Sequence, residues 1–506
     1  MLAILTLSGV DCAPMNWRKN LSASIVSAIL FCLAFPTVGW GLLIWVALLP
    51  ALRILRESGW RRFAWGWFTG TLIQGLGYYW IFFTIRDFGG LNVVLSAGGA
   101  LLFWAFQGLD MGIWLGVGPW LFRKWPPLVK AFGMAGFWMV IQGFLFPYVF
   151  PANYGAALAG LPLFGMGAAL WSGKGMTFWI LSFQLVWMVP AKMDWPRWPW
   201  ALGIVAVALL GIFVPRGQIA TETLNIGVVQ PNLIPWAKRG AQTSREIYFA
   251  HEDPTRKWIG QDLDIVLWPE TAVPFDLRQS ETFIQRLQHL SEELNAALVI
   301  GAVGVFGEND YTNEVWCFTP GGTEPQIYQK ERLVLFSETL PWVLRWAKYF
   351  DPALGGFKPG QNNQAFQIGQ RTMTPLVCFE ALFPDLARKY PSQLFLNFTN
   401  DAWFGISKAS ALHLQHIRHR AVETGVPLVR ATNSGISSWV DARGKLHGQT
   451  PVYQKADLIY QIPVPTSTPP NLAGWGERIL WLWSLLAMVI AFLYRRSKLG
   501  TASSEI

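Results

Sequence analysis

Glu270, Lys330 and Cys378 are the residues of this chain whose types could jointly break an acyl bond. A thiolate is a strong nucleophile, but a free cysteine has a pKa of about 8.5 and needs help to ionise. By itself Cys378 fits a buried packing residue better than a reactive one. Glu270 lies in the run Trp268-Pro269-Glu270-Thr271, where Pro269 is expected to stop a strand and aim the carboxylate off its end. Partly desolvated beside a tryptophan, a carboxylate becomes a stronger base; taken alone, a glutamate here is an ordinary loop acid. Lys330 follows Tyr328-Gln329, and an ammonium is a fixed charge for a developing oxyanion, although a single lysine is more often a surface residue. Glu338, in Phe336-Ser337-Glu338, is placed to pair with it. The order Glu270, Lys330, Cys378 has gaps of 60 (330 − 270) and 48 (378 − 330) positions.

The elements expected to hold these residues alternate. Strands are predicted at 224–230, 264–268, 297–305, 311–319 paired with 323–328, 375–379, 394–398 and again from 429. Helical spacing runs through Phe283, Leu287, Leu290 and Leu294 within 281–296, and helices are also predicted at 385–389 and 409–424. Interleaved strands and helices point to a layered α/β sandwich. Ligands gather beyond the carboxyl ends of strands in such folds, and Glu270, Cys378 and Asn400-Asp401 sit at or near those ends.

The rest of the chain has another composition. Of 506 residues, 52% are apolar and only 14% charged, with 29 Trp and 34 Phe, and the mean hydropathy is +0.30. Roughly 25% charged residues is typical of a soluble domain, so disorder is excluded and the chain reads poorly as a wholly soluble one. Four cysteines without a CxxC pair exclude a disulfide scaffold and give no zinc motif. Long apolar runs centre near 21–38, 40–57, 64–85, 92–122, 129–149, 166–190, 198–215 and 476–494, and are expected to be eight transmembrane helices. With both termini cytoplasmic, the clusters Arg18-Lys19, Arg53 to Arg62, Arg123 to Lys130, Lys192 with Arg197, and Arg495 to Lys498 all fall on the cytoplasmic side. The net charge of +9 is thereby explained by membrane topology, with no nucleic-acid partner. The expected organisation is an N-terminal extension at 1–15 with a second candidate start at Met15, seven spans over 16–216, an extracytoplasmic catalytic domain over 217–470, and an eighth helix with a cytoplasmic tail over 471–506.

WPE, YQK and VCFE, in this order, resemble the three signatures of the nitrilase (carbon–nitrogen hydrolase) superfamily. That resemblance covers roughly 222–465 and implies an α-β-β-α sandwich with a Glu270–Lys330–Cys378 triad. With membrane spans on both sides, the chain resembles the bacterial apolipoprotein N-acyltransferase family over nearly its whole length. Val229-Gln230-Pro231-Asn232 with Trp236 shortly after, Asn400 to Gly405, and Arg420 to Gly425 carry this narrower likeness. Two positions depart from it: Leu335-Phe336-Ser337-Glu338 stands where PFGE is usual, and VCFE where VCYE is usual. The likeness implies a bacterial inner-membrane enzyme with its catalytic domain on the periplasmic side. It implies a membrane phospholipid as acyl donor and a thioester on Cys378. The N-terminal diacylglyceryl-cysteine of an apolipoprotein would be the acceptor, and the kinetics ping-pong. Glu338 would orient Lys330 or Glu270, Trp236, Asn400 and Trp403 would bind substrate, and neither cofactor nor metal is required.

Other signals carry less. His413, His416 and His419 recur every three positions on a predicted helix, but without an acidic or thiolate co-ligand they are read as packing residues. Cys317 is read as a core strand residue, and Gly355, Gly356 and Gly360 lack the phosphate-loop pattern. The aromatic stretch 146–154 and Trp236 are candidate lid elements. A membrane-anchored amidohydrolase acting on a small amide is the alternative enzyme. A transporter or receptor would have only Asp110 as a clear mid-span acid.

Overall fold

The computed structural model describes residues 17–144, 153–188, 196–214, 221–233, 244–308, 310–335, 337–340, 355–361 and 363–502. Trp236, most of the 146–154 stretch and the region before Trp17 lie outside the described residues. The chain divides into two compact units, Met1–Val214 with Leu472–Ile506, and Pro215–Asn471.

The first unit is helical: α1 (Trp17–Ala34), α2 (Gly59–Gly77), α3 (Trp80–Asp87), α4 (Val93–Leu121), α5 (Pro127–Phe144), α6 (Ala168–Val186), α7 (Arg197–Ala208) and the last helix of the chain, Ala473–Ala502. Two helices among the described residues, Val93–Leu121 and Ala473–Tyr494, are long and apolar enough to cross a membrane. The expectation of eight continuous helices needs correction. The run at 40–57 forms two 3-10 helices, Gly41–Trp45 and Ala51–Arg56, and the run at 64–85 breaks at Tyr78-Tyr79 into α2 and α3. Pro50 immediately precedes the second 3-10 segment and has no backbone donor to continue a helix.

The backbone groups freed there are met by side chains. Gln184 of α6 accepts from Leu48 N at 2.7 Å and donates to Ile44 O at 3.1 Å, and Ser27 of α1 accepts from Ala51 N at 2.9 Å. Helices α2 and α4 approach closely where Gly66 and Gly70 face Gly108 and Gly112; a Cβ on Gly70 would stand 2.8 Å from Gly108 Cα. Polar side chains turn inward in this unit. Ser24 bonds Thr69 at 2.8 Å, and Gln142 bonds Asp110 at 2.7 Å. Val94, Leu101 and Leu102 of α4 and Leu482, Leu486 and Phe492 of the last helix are exposed.

Among the described residues the second unit carries twelve strands in two six-stranded sheets. The strands are β1 (Thr221–Gln230), β2 (Ile265–Val273), β3 (Ala297–Gly307), β4 (Asp310–Phe318), β5 (Gln326–Gln329), β6 (Phe366–Ile368), β7 (Arg371–Val377), β8 (Leu394–Thr399), β9 (Leu428–Thr432), β10 (Ser438–Val440), β11 (Leu446–His447) and β12 (Ala456–Pro465). One sheet has the order β12-β1-β2-β3-β4-β5 and the other β11-β10-β9-β8-β7-β6. Their inner faces share a core in which Ile226, Leu267 and Val299 meet Val377, Leu396 and Val429. Helices α8 (Ser244–Arg256) and α9 (Glu281–Leu294) cover the outer face of the first sheet, where Tyr248, Leu287, Leu290 and Leu294 join Val266, Trp268 and Ile300. Each of those leucines is almost wholly buried, a gain of about 1.5–3 kcal/mol apiece. Helices α10 (Pro384–Ala387) and α11 (Ala409–Thr424) pack on β7 and β9 of the second sheet. The layers are therefore helix, sheet, sheet, helix, the order that the nitrilase resemblance implies for the layered sandwich.

Candidate active site

β2 does not stop at Pro269. It runs to Val273, with an irregular register against β3 between Trp268 and Val273. Thr271 adopts φ 56°, and Gly301 faces it from β3, where an added Cβ would stand 2.7 Å from Glu270 Cα. Glu270 thus projects from a bulge inside the strand, not from its end as the proline suggested. A bulge re-aims a side chain, and this one sends the carboxylate into a buried polar cluster. Glu270 Oε1 accepts from Asn313 Nδ2 at 2.7 Å, and Oε2 accepts from the backbone N–H of Asn400 at 2.8 Å.

Lys330 follows β5 and is 1% exposed. Its Nζ donates to Glu338 Oε1 at 2.7 Å and to Glu270 Oε1 at 3.4 Å. Burial works against the ammonium, but the charges of Glu338 and Glu270 outweigh it and raise the pKa above the ordinary 10.5. Lys330 is therefore a permanent cation. Glu338 is itself fixed: its Oε2 accepts from Val334 N at 2.8 Å and its Oε1 from Asn313 Nδ2 at 3.2 Å. Asn313, which the sequence did not single out, holds both carboxylates.

Cys378 follows β7 directly and opens a 3-10 helix, Cys378–Leu382, with φ 51°. A non-glycine residue in that region costs on the order of 1–3 kcal/mol and needs support from its surroundings. Glu380 supplies it. This fully buried carboxylate accepts from Val377 N at 2.7 Å, Glu331 N at 2.6 Å, Arg332 N at 3.1 Å and Tyr328 Oη at 3.2 Å. One side chain so joins the turn that carries Cys378 to the backbone just after Lys330. Burial raises its pKa to about 7 against the pull of those donors. Glu380 was visible as the last letter of VCFE but was not assigned a role. Cys378 as a residue is half-buried. Burial first, then Glu270, push its pKa above 9.0, while Lys330 pulls it down. The net shift is upward, so the resting group is a thiol that must lose its proton during attack.

Asn400 closes the cluster from the end of β8. Its side-chain oxygen accepts from Ala402 N at 3.3 Å and from Asn433 Nδ2 at 3.0 Å, so the amide braces the loop while the main chain holds Glu270. Trp403 is half-buried in the next turn. The structure thus gathers Glu270, Lys330, Glu338 and Asn400 into one bonded cluster, with Cys378 in its field. His413, His416 and His419 are all buried. Among the described residues no group of three His, Cys, Asp or Glu side chains is arranged to hold a metal. Cys317 is 1% exposed in β4, as expected of a core residue, and neither it nor Cys378 is in a disulfide.

Two facing sheets between helices, with this cluster built on a β2 bulge and on the turns after β5, β7 and β8, define a carbon–nitrogen hydrolase fold, and residues 225–468 match the carbon–nitrogen hydrolase family model. Residues 27–186 match a second model, the apolipoprotein N-acyltransferase N-terminal domain. Over nearly its whole length the chain resembles the apolipoprotein N-acyltransferases. It is 28% identical to the "Apolipoprotein N-acyltransferase" of Geobacter metallireducens, covering 95% of this chain and 96% of that protein. The protein of the same name from Pseudomonas syringae pv. tomato is 27% identical over 94% of this chain and 98% of its own length. Among solved structures, a cysteine-to-serine mutant of an amidase of the nitrilase superfamily from Nesterenkonia AN1 aligns with a TM-score of 0.38 and 20% identity over 49% of this chain and 94% of its own.

Proposed function

We propose that this chain transfers an acyl group from a membrane phospholipid to the N-terminal diacylglyceryl-cysteine of apolipoproteins, through a thioester on Cys378. The observation that carries the reading is the Lys330–Glu338–Glu270 cluster beside a cysteine in a left-handed turn, within a chain matched over both of its units by this family. Glu270 takes the thiol proton, and the thiolate attacks the donor ester. Lys330 stabilises the oxyanion, and Glu270 returns the proton to the departing lysophospholipid. The acceptor's α-amine, with an ordinary pKa of roughly 7.7–8.0, then attacks the thioester with Glu270 again as base. The two half-reactions make the kinetics ping-pong. Glu338 keeps Lys330 in place. Asn400 acts through the main chain on Glu270, while Trp236 and Trp403 contact substrate. No cofactor enters the scheme.

The helical unit supports a membrane location. Ser24, Thr69, Gln107 and Asp110 are buried while many apolar side chains are exposed, and its close contacts use glycine, as expected in lipid. Buried irregular backbone is tolerated in a membrane when neighbours satisfy it, which Gln184 and Ser27 do. The stretch Gly41 to Arg56, two 3-10 segments joined by a turn, is counted as one crossing. Eight crossings then put the basic clusters in the cytoplasm of a bacterial inner membrane and the catalytic unit on the periplasmic side.

The test is to incubate the purified protein with phospholipid labelled in its sn-1 chain, without acceptor, and map the label. A hydroxylamine-sensitive adduct on Cys378, absent from Cys378→Ser, is the expected result. Folded protein that forms no adduct with any of several phospholipids would overturn the thioester route and favour hydrolysis of a small amide.

A further inference from the structure

Thr399 is the last residue of β8 and has no solvent exposure. Its hydroxyl donates to Asp401 Oδ1 at 3.1 Å, and β8 runs parallel to β7 with Phe398 opposite Val377, so Thr399 ends its strand beside Cys378, whose thiol it influences. A hydroxyl has one proton to donate, so it serves Asp401 or the sulfur, not both. While Cys378 is a thiol, the S–H can donate to Thr399 and Thr399 to Asp401. Once the sulfur is an anion it no longer donates, and it competes for the Thr399 proton.

Asp401 is built to release that proton. Its Oδ2 accepts from Arg430 Nη2 at 2.7 Å, and both side chains are fully buried. Its Oδ1 has a second partner in His413 Nδ1 at 3.2 Å. When Thr399 turns away, His413 still covers that oxygen, so no buried acceptor is orphaned. Arg430 in turn donates to Asn397 Oδ1 at 2.7 Å, and Asn397 donates to Leu376 O at 2.7 Å, on the strand that ends at Cys378. The group is braced against the backbone that aims the nucleophile.

We propose that the Thr399 hydroxyl switches its donation from Asp401 to the Cys378 sulfur as the thiol ionises, and that Asp401, His413 and Arg430 are positioning residues that hold it ready. The inference rests on reading Cys378 as the nucleophile. In the step, the S–H bond breaks and its proton passes to the Glu270 carboxylate. The Thr399 O–H bond stays intact and only its acceptor changes. The charges facing the sulfur come from every side: Glu270 from β2, Lys330 from beyond β5 and Asp401 from beyond β8. Glu338 stands behind Lys330, Arg430 stands behind Asp401, His413 of α11 lies against both Asp401 and the Cys378 main chain, and Glu380 lies within the turn itself. Thr399 is the uncharged donor among them.

The experiment is alkylation of Cys378 by iodoacetamide in the full-length protein, followed against pH by peptide mass. Thr399→Val keeps the side-chain shape and removes the donor. Its alkylation midpoint should rise by about one pH unit or more, the scale of a hydrogen bond to a charged group. Thr399→Ser should keep the wild-type midpoint. His413→Phe leaves Asp401 Oδ1 dependent on Thr399 and should shift the midpoint in the same direction as Thr399→Val. An unchanged midpoint in Thr399→Val, or a serine variant that shifts as far as the valine, would overturn the proposal. So would an unchanged midpoint in His413→Phe, for the positioning role. The readout needs no lipid, so a phospholipid that fails to acylate Cys378 would sink the acyl-transfer reading while leaving this one standing.

Discussion

Lys330 Nζ stands 2.7 Å from Glu338 Oε1, closer than the 3.4 Å that separates it from Glu270. The lysine's main ion-pair partner is therefore not the proposed base. Glu338 absorbs much of the ammonium charge, and Glu270 shares what is left. Glu338→Gln should hand Lys330 to Glu270 and weaken the base. Acyl transfer should fall by about 10²-fold, the lower end of general-base contributions. Steady-state rates and thermal unfolding measured on the same variant check this: a rate loss matched by an equal loss of stability would mean that Glu338 only supports the fold.

Gly301 permits the β2 bulge by lacking a side chain. Gly301→Ala should push Glu270 away from Asn400 N, at a stability cost of about 1–3 kcal/mol for overpacking. Activity should fall much further than stability does. Thermal unfolding and thioester formation, measured on the same preparation, separate the two effects.

The Asp401–Arg430 pair carries a stability term that depends on pH. Burial opposes ionisation of Asp401, but Arg430 and His413 prevail and hold its carboxyl below the ordinary 3.8. A depressed carboxyl contributes stability that is fully present above its unfolded pKa and is lost as pH falls through the folded one. Asp401→Asn should cost about 3–5 kcal/mol, since it leaves a buried guanidinium without its counter-ion. The difference between wild type and variant should stay constant above about pH 5 and shrink at lower pH. Denaturant unfolding across that range would show whether the gap closes.

The proposed topology makes a prediction at the chain level. A phosphatase reporter that is active only outside the cytoplasm should be active when joined after Val214 and inactive when joined after Lys130. The reverse pattern would place the catalytic unit in the cytoplasm.

The helix α9 and its sheet neighbours were legible because their signals are local. The spacing Phe283, Leu287, Leu290, Leu294 is one buried stripe, and Asn295 ends it in a left-handed cap. Helix α8 was missed, for it contains Pro254 and buries a mixed set including His251 and Glu252. The end of β2 was misplaced because Pro269 normally halts a strand. What keeps the strand going is Gly301, which is 31 positions away (301 − 270 = 31). Glu270, Lys330 and Cys378 stood out through short signatures around each. Asn313 and Thr399 have no such signature. Their partners lie 43 and 21 positions away in sequence for Glu270 and Cys378 (313 − 270 = 43; 399 − 378 = 21), and only the folded sheets bring them together.

The pairing of β1 with β12, with Thr221 opposite Pro465 and Gln230 opposite Ala456, has a consequence for how the chain is made. β1 is the first strand of its unit to be synthesised, yet its antiparallel neighbour is the last. During translation β1 finds β2 early, since the two are parallel neighbours. Its other edge stays open while more than two hundred residues are added. An unpaired edge is a template for mispairing, and so long a closure is slow. The final strand to emerge is thus the seal of the sheet, and a chain truncated before β12 should aggregate even with every proposed catalytic residue present.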